Sequence, residues 1–222
     1  MHARCVLVLL LLAGCNRGLR VVASGTVVTD DFEGSAAGDA PAGFESALTG
    51  PGAPSRWVIE AVDGAPSGRH VLAQVDADPT NARYPLCIRA AAAPARDVEL
   101  SVRFNARSGE VDRAAGLVAR YQGADDYYLT RANALEGNVR FYRVVGGKRE
   151  QIASADVPVT SGEWHTLGLT VRGERFVVAL DGRSLFAVED RTIQAPGRVG
   201  LWTTADSVTW FDDFSVETWN PE

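Results

Sequence analysis

Residues 97–106 read DVELSVRFNA, and this stretch decides the fold. Val98, Leu100, Val102 and Phe104 alternate with Glu99, Ser101 and Arg103, so one face is apolar and the other polar. A side-chain period of two belongs to an extended strand laid against a core; a helix would bring its apolar residues round every three or four positions. The alternation returns at His165, Leu167, Leu169 and Val171, and again at Phe176, Val178 and Leu180. Gly, Asp and Pro punctuate these runs. Val145-Gly146-Gly147-Lys148 and Leu180-Asp181-Gly182-Arg183 carry residues that accept the positive φ of two-residue hairpin turns. About twelve or thirteen short strands can be marked out in this way. Only residues 90–95 have a helical composition, and Pro94 interrupts it. Regular short strands joined by tight turns predict an all-β chain, folded as one two-sheet antiparallel β-sandwich of jelly-roll type over residues 27–220.

The chain begins MHARCVLVLLLLAGC, which does not belong to that pattern. Arg4 precedes an apolar run at 6–13, far shorter than the roughly 20 residues that span a bilayer and suited to the centre of a signal peptide. Leu12-Ala13-Gly14-Cys15 resembles a bacterial lipobox. The resemblance implies a signal peptide at 1–14, lipidation of Cys15, a tether over 15–26, and a membrane contact made through acyl chains. It places the domain at the bacterial cell envelope. Asn16, where inner-membrane retention favours Asp, points to the outer membrane, facing the periplasm or the exterior. Cys5 leaves with the leader and Cys15 carries lipid, so Cys87 stands alone and is expected as a buried apolar residue without a disulfide.

Of the 222 residues, 46 % are hydrophobic and 23 % charged, the make-up of an ordinary globular protein. A formal charge of −6 argues against nucleic acid as a partner, because phosphate backbones call for a basic surface. Asp30-Asp31-Phe32 near the start is echoed by Asp212-Asp213-Phe214 near the end. Pairing of the terminal strands would gather these carboxylates, with Asp31 and Asp212 as candidate oxygen ligands for Ca²⁺. The competing reading has them solvated or shaping turns.

From Asp31 to Glu217 the text resembles the concanavalin A-like lectin/glucanase superfamily, nearest to bacterial laminin-G-like modules and to the 3-keto-disaccharide hydrolase domain. The residues that carry this are DDFEG, GLVARYQGADDYYLTRANALEGNVRFYRVVGGKR, EWHTLGLTV, ALDGRSLF and GRVGLWTTADSVTWFDDFSV. The resemblance implies the concanavalin A-like fold, which hosts lectins, hydrolases, lyases and adhesion modules alike. Glucanases of the superfamily carry E-x-D-x-x-E on one strand, so that one carboxylate attacks the sugar and another donates a proton. The nearest text here, Glu110-Val111-Asp112-Arg113-Ala114-Ala115, lacks the last acid, and these acids read as solvated loop residues.

What remains is a polar and aromatic cluster. Strands through 116–121 and 127–133 offer Arg120, Tyr128, Arg131 and Asn133, and Trp202 stands in the Gly-Leu-Trp strand. Flat rings stack on sugar C–H patches, and planar polar groups meet adjacent hydroxyls. Tyrosine rings and arginine stems also cover ordinary sandwich faces, so each residue has a structural reading beside the functional one. The first expectation is a non-catalytic, membrane-anchored module binding a saccharide or cell-surface glycan through these five residues. The alternatives are an enzyme acting on 3-keto glycosides, with Asp125 or Asp126 as base and Arg120 or Arg131 facing an enolate, and a structural envelope lipoprotein.

Overall fold

The computed structural model describes residues 26–91 and 93–219. The expected leader, the lipidated Cys15 and the tether up to residue 25 lie outside the described residues. Fifteen strands follow in order: β1 (Thr26–Asp30), β2 (Phe44–Thr49), β3 (Trp57–Ala61), β4 (His70–Gln74) and β5 (Tyr84–Arg89) come first. The middle of the chain holds β6 (Asp97–Ser108), β7 (Ala114–Gly123), β8 (Asp126–Asn133), β9 (Asn138–Val145) and β10 (Lys148–Asp156). The last five are β11 (His165–Arg172), β12 (Arg175–Leu180), β13 (Arg183–Glu189), β14 (Arg198–Trp202) and β15 (Val208–Trp219). No helix occurs among the described residues. Ala95, in the stretch with helical composition, instead bridges to Gly197 in antiparallel fashion.

Two antiparallel sheets form the sandwich. The first runs β13-β12-β11-β6-β15-β4-β3, with β1 added on β15; the second runs β10-β9-β8-β7-β14-β5-β2. Val98, Leu100, Val102 and Phe104 point between the sheets, together with Leu167, Leu169 and Val171 from β11 and Phe176 and Val178 from β12. The second sheet answers with Leu117, Tyr128, Phe141 and Leu201. Phe211 and Phe214 on β15 both enter this core although three positions separate them. A bulge between Asp212 and Ser215, with Asp213 at φ 49°, supplies the extra residue that turns both rings inward. The two hairpins read from sequence close as expected, with Gly146 and Gly147 at φ 56° and 74°, and Asp181 and Gly182 at 49° and 75°. The terminal strands pair, with Asp30 opposite Phe214.

Cys87 lies in this core, 1 % exposed, and burial alone pushes its thiol far above the usual range. In the native protein the Cys87 peptide should resist alkylation at pH 8 and label fully in denaturant, as mass spectrometry would read. Rapid native labelling would contradict the packing described.

Candidate functional site

The outer face of the seven-stranded sheet is built in rows fixed by strand register. One row crosses the sheet as Leu86 (β5), Trp202 (β14), Gly116 (β7), Arg131 (β8) and Arg140 (β9). The next holds Ile88, Gly200, Val118, Leu129 and Tyr142. Gly116 leaves room for the indole: a Cβ there would stand 3.1 Å from the Trp202 ring and 2.9 Å from the Thr130 carbonyl oxygen. Tyr84 stacks on Trp202 with ring centroids 5.6 Å apart. Arg149, two residues past the Gly-Gly turn on β10, lays its guanidinium over three rings: Tyr84 at 4.5 Å, Tyr142 at 4.7 Å and Trp202 at 5.7 Å.

Beside this aromatic box lies a polar end. The Arg131 guanidinium meets Glu136 at 2.9 Å, and Arg140 meets the same carboxylate oxygen at 2.8 Å. Asn133 accepts the backbone N–H groups of Leu135 and Glu136 at 2.9 and 3.1 Å, shaping the β8–β9 turn, and donates to the Asp112 carboxylate. Asp112 is therefore not a solvated loop acid; burial raises its carboxyl above the ordinary value, against the pull of Arg131. Asp206 fastens the 109–112 loop by accepting N–H groups from Glu110, Val111 and Asp112 at 2.6–3.1 Å. Several buried polar atoms on this face meet no partner: Nη1 of Arg131, Nη1 of Arg149, Nε of Arg140 and Oδ1 of Asn138, while the Trp202 indole N–H faces the Tyr127 hydroxyl. Buried polar groups are almost always satisfied, and further atoms of this kind lie away from this face, on Arg96, Arg103 and Asn105.

The sequence resembles a known domain over residues 95–219, more than half of the chain: the C-terminal lectin domain of galactocerebrosidase. The chain belongs to this lectin-domain family. No curated protein matches the sequence. Among solved structures, the carbohydrate binding module CBM66 from Bacillus subtilis is 19 % identical, at a TM-score of 0.61, covering 79 % of this chain and 96 % of that one. A Bacillus subtilis protein of unknown function with a galectin-like fold is 10 % identical at 0.51, covering 78 % and 89 %. A glycosidic hydrolase is 12 % identical at 0.52, covering 90 % and 98 %. These likenesses concern the fold, that of a concanavalin A-like β-sandwich.

Within the lectin-like domain the five expected binding residues fall into two groups. All are buried, none more than 2 % exposed. Arg131, Asn133 and Trp202 stand on the outer face just described. Arg120 and Tyr128 do not. Tyr128 alternates inward on β8, while Arg120 follows a β7 irregularity after Ala119, with φ 50°, that turns its side chain to the same inner side. Arg120 donates to the carbonyls of Arg96 (3.1 Å), Ile193 (2.8 Å) and Gly173. The Tyr128 hydroxyl donates to Asp190 and accepts the Ile193 N–H at 3.0 Å. Burial, with the Asp190 carboxylate, pushes that phenol up to about 12. The pair clamps the 190–193 segment from inside. Of the two arginines in the enzyme alternative, Arg120 is turned inward and spent on backbone carbonyls, while Arg131 stays on the outer face. Asp126 is engaged at the hairpin end, accepting the Gly146 N–H at 3.1 Å.

Tyr84, Tyr142, Arg140 and Arg149 were not among the expected site residues. The Gly-Gly turn carried a usable signal, since its register sets Arg149 opposite Val144, on the face of Tyr142. Nothing local marks Tyr84, which stands two residues before Leu86, the register partner of Trp202, and meets Arg149 only through the bend of the sheet.

At the terminal strands, Asp31 is exposed and accepts the Glu33 N–H at 3.2 Å, whereas Asp212 is buried and accepts N–H groups from Ser67 (2.9 Å) and Asp213 (2.7 Å). Among the described residues no group of three or more His, Cys, Asp or Glu side chains is disposed to share a metal ion. The donor set for the expected Ca²⁺ is thus thin, with its oxygens already accepting backbone N–H groups. Burial pushes the Asp212 carboxyl up to about 6, against those N–H bonds. A folded-state value above the ordinary 3.8 means that the folded protein holds a proton the unfolded chain releases. Stability should therefore fall at this group as pH rises from about 4 to 6, and Asp212→Asn should flatten that slope in a melting series.

Two substitutions separate the faces. Gly116→Val should destabilise the fold by about 1–3 kcal/mol and shift Trp202 emission, because the new side chain meets the indole. Tyr128→Phe should cost about 1–3 kcal/mol through Asp190 and Ile193 while leaving ligand affinity unchanged.

Proposed function

We propose that this lectin-like domain is a non-catalytic saccharide-binding module, tethered to the cell envelope through lipidated Cys15, and that it binds on the outer face of the seven-stranded sheet. The observation that carries the reading is the conjunction, on one face of a lectin-family domain, of the Tyr84–Trp202–Tyr142 box with the half-exposed Arg149 guanidinium laid over it. Tyr84, the half-buried wall of the box, gives a sugar's C–H patch an apolar bed, and the half-exposed Arg149 beside it gives the hydroxyls a donor, while Trp202 and Tyr142 back them from within. The lectin-domain family supports the same ligand class. The non-catalytic part rests on the incomplete carboxylate motif at 110–115 and on the structural engagements of Arg120 and Asp126. The envelope location and the lipid anchor rest on residues 1–16. Any calcium dependence would enter through Asp31 and Asp212, and binding repeated with EDTA measures it.

Calorimetric titration with a saccharide panel tests the proposal. A saccharide should bind, and Tyr84→Ala should weaken it about tenfold by removing one stacking wall. Absence of binding across the panel at millimolar concentrations, or full affinity in Tyr84→Ala, would refute it.

A further inference from the structure

Three guanidinium groups converge on the outer face, and their counter-charges are unequally shared. Arg131 and Arg140 divide the single carboxylate of Glu136, at 2.9 and 2.8 Å, with Asp112 behind Arg131. Arg149 forms none of the ion pairs found among the described residues. Its sequence neighbour Glu150 turns to the other side of β10 and pairs with Arg143 at 2.8 Å. Arg149 therefore carries a half-buried positive charge balanced only by ring faces.

Stacking constrains what that charge can still do. Tyr84, Tyr142 and Trp202 occupy the flat sides of the guanidinium, where cation–π attraction acts. The N–H groups radiate in the guanidinium plane; Nη1 is enclosed without an acceptor, and the side chain as a whole is half-exposed. A half-exposed planar cation held by its faces and without an ion pair suits a ligand bearing two anionic oxygens, which accept a paired, charge-assisted hydrogen bond. A neutral hydroxyl would fill one bond and leave the charge uncompensated. The rings also fix the side-chain torsions before binding, so little rotamer entropy remains to be lost.

We infer that the saccharide bound on this face carries an acidic substituent, a carboxylate or a sulfate, and that Arg149 is the residue that selects it. This rests on the saccharide-binding reading of the face and deepens it. β10 is the outermost strand of its sheet, so an arriving ligand meets Arg149 at the rim, with the Tyr84 and Trp202 rings beneath.

The test compares matched ligands on the full-length protein by calorimetry: an oligogalacturonide, a sulfated galacto-oligosaccharide and their neutral counterpart. The acidic forms should bind about ten- to a hundredfold more tightly than the neutral one, with affinity falling as salt rises. The carboxylate and sulfate arms distinguish the two sources of charge. Arg149→Gln should erase the difference, and Arg149→Lys, which keeps the charge without the planar fork, should lose most of it. Arg183→Gln, on the β13 hairpin, serves as the control and should behave as the unaltered protein. Thermal melts certify that each variant is folded. Equal affinity for neutral and acidic sugars, or a preference surviving in a folded Arg149→Gln protein, overturns the inference and leaves saccharide binding standing. No binding by any arm removes the saccharide reading itself.

Discussion

A sheet seven strands wide cannot stay flat and still bury large side chains on both faces, and the bend of the second sheet governs the rest of this molecule. The Thr49 hydroxyl on the outermost strand β2 lies 2.9 Å from that of Tyr127 on β8. Four strand spacings of roughly 4.8 Å separate these strands along the sheet, about 19 Å if it were flat. The Arg149 guanidinium on β10 likewise reaches the Tyr84 ring on β5, five spacings away, at 4.5 Å. Only strong curling brings such pairs together. The outer face thereby becomes a trough with its own apolar lining of Leu86, Ile88, Val118, Leu129 and Val144, separate from the core between the sheets.

That geometry explains why residues on one strand have such different fates. On β8, Tyr127, Leu129 and Arg131 enter the trough, while Tyr128 and Ala132 enter the inter-sheet core. Arg120 would share the trough by simple alternation; the irregularity after Ala119 sends it inward, where three backbone carbonyls take its donors. The inward Arg–Tyr pair ties down a loop, and the outward Arg131 pairs with Glu136 on the other side of the sheet. The same polar chemistry thus serves architecture on one side and, in the function proposed, recognition on the other.

The alternation at 98–104, 165–171 and 176–180 was enough to read the sandwich, and the Gly-Gly and Asp-Gly turns gave true registers, because a buried face and a two-residue turn are local properties. That Arg131, Asn133 and Trp202 share a sheet face follows from register, and all three were legible as the polar and aromatic members of strand-like text. Arg120 and Tyr128 were misplaced: a bulge leaves no fixed mark in sequence, and a tyrosine suits either face. Arg149 and Tyr84 meet only because the sheet bends, and bending is set by packing over many strands, which no short stretch encodes. The Asp30 and Asp212 echo did reflect paired terminal strands, yet pairing brought Asp30 to Arg89 at 2.7 Å and left Asp31 in solvent.

The central claim is that ligand is received in the trough of the curled sheet and on no other face. Nitrogen-15 spectra of the five tryptophan indoles address it directly, since Trp202 alone stands in the trough, while Trp57, Trp164 and Trp210 donate to Ser55, Gly64 and Glu60. On titration with a binding saccharide, the Trp202 indole resonance should move and saturate while those of Trp164 and Trp210 stay still. Movement of Trp164 and Trp210 with Trp202 unchanged would place the ligand on the opposite sheet and contradict the account.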